Sequence, residues 1–251
     1  MTANGSGRNP RTGRRIARTD GSGAGRPTPR YMERLYDVLE RELGPTDWLP
    51  ADTLFEIMAG AVLTQNTAWG NVDRSLAALR DAEALDPRTL AAMEPERLQT
   101  LIRPSGFYRN KARTLQELSR WYIARCGASP EGAEAIADDE LRAELLSLFG
   151  VGGETADDLV LYVFSRRTFV ADTYARRLFG FLGFSVPAGY AAFHRAFAPA
   201  VLASSLDVAQ LKEFHGLIDE YGKAYRDDDA KAASFLADWD GGPSSAGLPS
   251  S

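Results

Sequence analysis

The amino-acid sequence predicts an all-α fold built from many short helices. Apolar residues recur at helical spacing along most of the 251-residue chain, as is typical of amphipathic helices that pack on a common core. Prolines, glycines and capping side chains interrupt this spacing at short intervals and so mark the helix ends. Residues 168–171, which are β-branched and aromatic, suggest an extended segment instead.

Several predicted helices have a recognisable start or end. Thr53 and Glu56 have the spacing of a capping box, Pro87 and Pro95 stand where proline opens two short helices, and Gly44 ends the first helix. The remaining boundaries follow from apolar periodicity. The longer predicted helices cover residues 31–43, 54–65, 69–79, 111–126, 172–181, 188–202 and 207–225.

The most informative stretch is the glycine-rich turn LFGVGGETA at residues 148–156, which lies between two apolar helical stripes. Gly150, Gly152 and Gly153 can take positive φ and let another molecule approach the backbone. The turn leads into a helix N-terminus, where free amide groups and the helix dipole favour an anion such as a phosphate. The alternative is an ordinary glycine-terminated helix followed by another helix.

This turn and an acidic residue after it resemble a known signature. The segments LFGVGGETA at residues 148–156 and VADTYARR at residues 170–177 are similar to the helix-hairpin-helix motif, and to the motif that follows it, in the DNA glycosylase superfamily that contains endonuclease III. The resemblance covers residues 46–225. It implies two helical lobes with a DNA-binding cleft between them, and an enzyme that hydrolyses the N-glycosidic bond of a damaged base flipped from duplex DNA.

The resemblance also implies how the two lobes divide the chain. Residues 51–167 would form a helical barrel-like lobe that contains the helix-hairpin-helix motif. Residues 31–50 together with residues 168–239 would form the second lobe. Residues 1–30 and 240–251 are rich in glycine, serine and proline, so both ends are expected to be disordered tails, the first of them basic.

Two acidic residues are candidates for the chemistry that the resemblance implies. Asp172 matches the catalytic carboxylate, which would stabilise the oxocarbenium-like sugar. Aspartate is also a favoured N-cap, and a capping carboxylate is expected to have a lowered pKa and to stay ionised. Glu154 replaces the catalytic lysine of lyase-active members, either as a surface acid that the helix dipole favours or as an assisting group in the cleft. Because a lyase needs an amine, this replacement favours a monofunctional glycosylase that uses water.

Further positions match segments that contact DNA in this superfamily. The segment LTQNT at residues 63–67 resembles one from which, in that superfamily, an amide fills the gap left by the flipped base, and this makes Asn66, or its neighbour Gln65, the candidate for that role. The basic residues of RPSGFYRNKAR at residues 103–113 could contact phosphate or form a solvated helix start, and GFY within it is expected to serve packing. The hairpin would hold the DNA backbone. The DNA-binding candidates are Gln65, Asn66, Arg109, Lys111, Gly150, Gly152, Gly153 and Thr155.

Trp48 and Trp69 are candidates for the base pocket. They stand where the 3-methyladenine DNA glycosylases of the endonuclease III type have aromatic residues that sandwich the base. That subgroup also has a glutamate at the position of Glu154. An N-alkylated purine is cationic, so stacking it on indole gains about 1–2 kcal/mol when desolvated. Packing in the core or at an interface is the alternative for either tryptophan.

The cysteine content limits the cofactors. Cys126 is the only cysteine, so neither an intrachain disulfide nor a cluster bound by four thiolates can form. Arg226 stands where many relatives have the first cysteine of an iron–sulfur cluster, and His194 and His215 are isolated. The sequence predicts no metal, no iron–sulfur cluster and no other cofactor, and leaves open a monovalent cation at the hairpin.

The charge distribution separates a basic N-terminus from an acidic remainder. Seven arginines against one aspartate give residues 1–30 a charge of +6, so residues 31–251 must carry −11 to give the net charge of −5. DNA binding must then use a local basic face, and the N-terminus could add counterion release or be a solvated arm. No stretch approaches 18 consecutive apolar residues. We expect a soluble, cytoplasmic monomer that binds double-stranded DNA with damaged bases and no membrane.

Two other functions stay open. One is a non-catalytic helix-hairpin-helix DNA-binding protein that kept the hairpin without the chemistry. The other is a glycosylase/lyase for another lesion, in which one of the four lysines outside the hairpin supplies the amine.

Overall fold

The computed structural model describes residues 26–46, 51–239 and 241, and these residues are all-α. They contain 12 α-helices and no strand. Shorter turns of 3₁₀-helix occupy Arg103–Ser105 and Pro130–Ala133. The helices are α1 Pro29–Leu43, α2 Leu54–Leu63, α3 Trp69–Asp81, α4 Pro87–Ala92, α5 Pro95–Leu101, α6 Tyr108–Cys126, α7 Asp138–Ser147, α8 Gly153–Asp158, α9 Thr173–Phe181, α10 Tyr190–Leu202, α11 Val208–Ala224 and α12 Asp228–Ala232.

Local sequence explains where the helices begin. Thr53 caps α2, because its hydroxyl accepts an amide hydrogen bond from the first turn at 3.1 Å. Asp172 and Asp207 cap α9 and α11 in the same way. Pro87 and Pro95 open α4 and α5 as predicted, since proline has no N–H to lose at the first turn.

Helix α1 begins earlier than predicted. The hydroxyl of Thr28 accepts the N–H of Tyr31 at 3.2 Å, and Pro29 occupies the first turn. These two signals place the helix start inside the segment that was assigned to the N-terminal tail. The rest of that tail, residues 1–25, lies outside the described residues, as does the C-terminal tail apart from Gly241.

The second helix of the hairpin changes its winding after α8. Residues Leu159–Val163 form one π-helical turn, in which the N–H of Phe164 reaches the carbonyl of Leu159 at 3.1 Å. All five residues of this turn are buried. Leu161 and Tyr162 pack in one of two core clusters, and the other three residues pack in the other. The turn therefore joins the two parts of the molecule.

The hydrophobic core divides into these two clusters. The first cluster draws on residues between Phe55 and Phe164, from α2 to the π-helical turn. The second combines α1 with residues between Leu161 and Leu236. The chain leaves the second cluster after α1, builds the first, and returns through the π-helical turn. The prediction of an all-α, two-lobed fold is confirmed. Within the described part of the chain, no helix is both long and apolar enough to cross a membrane.

Candidate active site

The hairpin joins α7 to α8, and its glycines have different reasons to be there. Gly150 has a φ of +74°, and a Cβ at this position would lie 2.1 Å from Oγ1 of Thr114. The expectation of positive φ is wrong for Gly152, whose φ is −89°, and for Gly153, which is also absent from the positive-φ residues of the described chain. Gly153 instead allows close packing, because a Cβ there would lie 2.6 Å from a ring carbon of Tyr190.

Gln65, just after the end of α2, is hydrogen-bonded to the hairpin. Its Nε2 donates to the carbonyl of Gly150 at 3.1 Å and to the hydroxyl of Thr155 at 2.8 Å. Thr155 is buried, at 3% exposure, so its hydroxyl supports the hairpin from inside. Gly152 is exposed, and the first N–H groups of α8 have no partner within the helix. The exposed backbone of the turn can therefore receive an anion.

Two exposed residues with unusual backbone angles flank a pocket beside the hairpin. Asn66 has a φ of +53° and Phe107 a φ of +45°, and the Phe107 side chain is 68% exposed. The pocket has a volume of about 190 Å³. Its lining residues are Gln65, Asn66, Phe107, Asn110, Lys111, Thr114, Phe149 and Gly150.

Phe107 is the functional candidate that sequence reasoning missed, because it was assigned to packing. An aromatic side chain in the left-handed region and in solvent costs free energy, and such strain is common at binding sites. The available signal was its place between Gly106 and the polar start of α6. A ring at the mouth of the pocket, next to Asn66, can enter a base stack.

The basic residues of α6 have separate roles. Arg109 is exposed at the first turn and can reach a phosphate. The expectation that Lys111 contacts phosphate is contradicted: the residue is 3% exposed, and its ammonium donates to the carbonyls of Leu63 at 2.8 Å and Ser105 at 2.6 Å. Lys111 thus joins two chain segments behind the pocket. Burial lowers the pKa of its amine.

Asp172 caps α9 as predicted, and its Oδ1 accepts the N–H of Ala175 at 2.7 Å. The expected lowering of its pKa is wrong. Burial raises the pKa of Asp172 to about 6, although the N–H groups of Ala175 and Tyr174 and the charge of Arg177 act in the opposite direction. The increase in pKa from lost hydration is therefore larger than the decrease from the capping hydrogen bonds. The carboxyl is ionised at neutral pH and titrates just below it.

Glu154 and Asp158 are two further carboxyls near Asp172. Desolvation and then the charge on Asp172 raise the pKa of Glu154. Burial raises the pKa of Asp158 well above its usual value, and Glu154 and Asp172 add to that effect. Glu154 is exposed as a residue, and it lies within electrostatic reach of both Asp158 and Asp172.

A tyrosine and a histidine lie behind this acidic group. The hydroxyl of Tyr162 lies 2.7 Å from Nδ1 of His215 and 3.2 Å from the carbonyl of Lys212. Burial lowers the pKa of His215 to about 4, against the attraction of Asp219. His215 is therefore a neutral, hydrogen-bonded residue at physiological pH.

Of the two tryptophans, Trp69 lies in the described part of the chain. Trp48 lies outside the described residues. Trp69 opens α3 and is 47% exposed, so the core alternative does not apply to it. An exposed indole at a helix start is available to stack on a base.

No group of three or more His, Cys, Asp or Glu side chains within the described ranges could hold a metal ion. Cys126 is buried in the first core cluster, and burial raises the pKa of its thiol. At the hairpin, the carbonyl of Gly150 already accepts the Gln65 amide and that of Leu148 accepts the N–H of Val151 at 3.2 Å. Each carbonyl keeps one lone pair for a further ligand.

Comparisons with known proteins point in the same direction as this geometry. Residues 59–198 match the family described as HhH-GPD superfamily base excision DNA repair protein. A candidate DNA repair glycosylase of Methanocaldococcus jannaschii is 38% identical over 194 residues, which are 76% of this chain and 87% of that protein. Endonuclease III of Thermotoga maritima is 32% identical over 130 residues, which are 51% of this chain and 56% of that protein.

Solved structures share the fold. The H. pylori 3-methyladenine DNA glycosylase bound to 1,N6-ethenoadenine has a TM-score of 0.65 and 30% sequence identity, and the match covers 77% of this chain and 97% of that chain. A trapped covalent intermediate of endonuclease III with DNA has a TM-score of 0.63 at 22% identity, over 80% of this chain and 89% of that chain. At this identity the similarity concerns the fold alone. The hairpin, the acid that follows it and these relatives show that the chain belongs to the HhH-GPD superfamily of base excision DNA repair proteins.

Proposed function

We propose that the chain is a monofunctional DNA glycosylase that hydrolyses the N-glycosidic bond of an alkylated purine flipped from duplex DNA. The observation that carries this proposal is the group of carboxyls at Asp172, Glu154 and Asp158. Burial raises the pKa of each, and the charge on Asp172 adds to the increase at Glu154 and Asp158. The group lies at the start of α9 and along α8, next to a hairpin that has no lysine.

The acidic group favours a cationic base. Three neighbouring carboxyls make their full ionisation costly, and a positive charge brought among them relieves that cost. An N-alkylated purine carries such a charge in the base itself, and an indole such as Trp69 can hold it by cation–π attraction. The likeness to the H. pylori 3-methyladenine DNA glycosylase supports this substrate class.

The other candidate residues have complementary roles in this proposal. The exposed amide groups around Gly152 and the guanidinium of Arg109 bind the DNA backbone. Phe107 and Asn66 enter the space that the flipped base leaves. The partner is double-stranded DNA, bound by a monomer, and a monovalent cation at the hairpin carbonyls remains part of the proposal.

Asp172 acts on the sugar and on water. Once the base is held in the cleft, the ionised carboxylate stabilises the positive charge that develops on the sugar as the bond to the base breaks. It also orients the water that adds to the sugar, and Glu154 is placed to accept the proton which that water loses. A cationic leaving base departs neutral, so no further acid is needed.

Single-turnover release of 3-methyladenine from alkylated duplex DNA tests the proposal. Asp172→Asn should slow release by about 100-fold or more, the usual loss when one electrostatic stabiliser is removed. The matched control is Asp207→Asn, the same change at the cap of α11, which should leave the rate within about twofold because asparagine also caps well. Equal rates for wild type and Asp172→Asn would remove the catalytic role.

Lyase activity is the second candidate, and one observation favours testing it. The amine of Lys212 lies 3.0 Å from the hydroxyl of Ser165, and burial lowers its pKa, as activation of an amine nucleophile requires. Borohydride trapping of wild type and Lys212→Met on DNA with an abasic site decides this point. A covalent adduct that Lys212→Met abolishes would replace the monofunctional mechanism by a glycosylase/lyase.

A further inference from the structure

A buried carboxylate of the hairpin helix ties together three parts of the chain. Asp157, on α8, has no exposed surface. Its Oδ1 accepts hydrogen bonds from Nε of Arg142 and from the hydroxyl of Thr168, both at 2.8 Å. Its Oδ2 accepts from Nη2 of Arg142 at 2.9 Å and from the hydroxyl of Tyr190 at 2.8 Å. The two-point contact with arginine allows the charge to be buried.

Tyr190 carries this contact to the residue before the candidate catalytic acid. Its hydroxyl donates to Asp157 and accepts the N–H of Ala171 at 3.2 Å. Its ring packs on Gly153, where a Cβ would come within 2.6 Å. Ala171 directly precedes Asp172, the cap of α9. Tyr190 therefore touches both the first residue of the hairpin helix and the backbone beside the acid.

We propose that Tyr190 and Asp157 are positioning residues for base excision, which hold residues 168–171 so that Asp172 keeps a fixed place relative to the hairpin. These four residues have no helix or strand of their own. Both ends of this segment are hydrogen-bonded toward Asp157. The Thr168 hydroxyl donates to Asp157 directly, and the Ala171 N–H donates to the Tyr190 hydroxyl, which in turn donates to Asp157.

The inference rests on the proposed catalytic role of Asp172. A displacement of about 1 Å at a reacting group can cost about 100-fold in rate, whereas a change confined to the Tyr190 hydroxyl leaves its ring packed on Gly153 and so leaves the hairpin amides in place. Loss of the Ala171–Tyr190 hydrogen bond is therefore expected to slow excision and to leave DNA affinity unchanged. A residue that served stability alone would not separate the two quantities.

The test compares Tyr190→Phe with Tyr221→Phe. Each change removes one phenolic hydroxyl and the hydrogen bonds that it makes; one of these, for Tyr221, joins Ser234 at 2.8 Å in the second core cluster. The phenylalanine at position 190 keeps the ring against Gly153. Three quantities are measured: the single-turnover release of 3-methyladenine, the Kd for duplex with a tetrahydrofuran abasic analogue, and the hydrogen-exchange rate of the Ala171 amide.

Tyr190→Phe should slow release by about tenfold and speed Ala171 exchange by about fivefold or more, with Kd within about twofold of wild type. Tyr221→Phe should leave all three within about twofold. Unchanged Ala171 exchange in Tyr190→Phe overturns the proposal, as does an unchanged release rate or a Kd that rises as much as the rate falls. If wild type releases no base, the proposed function fails, and Ala171 exchange alone then decides whether Tyr190 holds the segment.

Discussion

Replacement of Gly150 by alanine should destabilise the protein by about 2–5 kcal/mol. Gly150 has a φ of +74°, and the left-handed region costs an alanine about 1–2 kcal/mol. The new methyl group would lie 2.1 Å from Oγ1 of Thr114, and relieving such overpacking typically costs about 1–3 kcal/mol. Urea unfolding followed by circular dichroism measures the difference in the free energy of unfolding.

A second change separates the two costs. In the double variant Gly150→Ala with Thr114→Ala, the clash is gone and the strained backbone remains. The loss relative to Thr114→Ala alone should therefore fall to about 1–2 kcal/mol. A double variant that loses as much as the sum of the two single variants would mean that the contact with Thr114 is not the source of the second cost.

Gly152→Ala is the matched control within the same turn. Gly152 has a φ of −89° and open space around the position of a Cβ, so alanine should leave stability unchanged or raise it by about 0.4–1 kcal/mol. The same methyl group stands where a phosphate would approach the backbone, and duplex affinity should fall by about fivefold or more. A Gly150→Ala protein as stable as Gly152→Ala would refute the reasoning.

Three further changes test other parts of the site. Asp172→Asn should raise the free energy of unfolding at pH 7 by about 1–3 kcal/mol, because burial raises the pKa of Asp172 to about 6. Unfolding at several pH values should show this advantage shrink between pH 6 and about pH 4, where the carboxyl becomes protonated in both states; a constant advantage contradicts the raised pKa. Phe107→Ala should weaken binding of abasic duplex in fluorescence anisotropy and change stability by less than about 0.5 kcal/mol, since the ring is 68% exposed; equal affinities would exclude the wedge. Asp157→Ala should cost about 3–5 kcal/mol in urea unfolding, because the buried pair with Arg142 is broken; a loss below about 1 kcal/mol would show that the pair is dispensable.

Features that depend on nearby residues could be predicted from the sequence. Asp172 caps α9 and Thr53 caps α2 because a cap needs only a side chain and the amides of the next turn. The hairpin was visible because Gly150 interrupts an apolar stripe that then resumes. The sequence alone therefore places the hairpin and Asp172 in order along the chain.

Features that depend on tertiary packing could not be predicted. Lys111 looks like a phosphate ligand in the sequence, and only the fold brings the carbonyls of Leu63 and Ser105 to its amine. The pKa of Asp172 is raised by its burial in the folded protein, which outweighs the lowering by the cap that the sequence shows. Phe107 was assigned to packing because aromatic residues are usually buried; its place between Gly106 and the polar start of α6 hinted at a turn, but not at a φ of +45° or an exposed ring.

The order in which the two core clusters use the chain has a consequence for synthesis on the ribosome. Helix α1 emerges before the other described helices, yet its apolar face packs in the second cluster on α10 and α11, which emerge more than 140 residues later. The first cluster is complete by Phe164 and can form while the ribosome is still translating the remainder. We therefore expect the apolar face of α1 to stay exposed, and open to chaperone binding, until α11 has been synthesised. Helix α9, which Asp172 caps, also packs on α11, so a nascent chain that ends before α11 carries the hairpin before α9 has its packing partner.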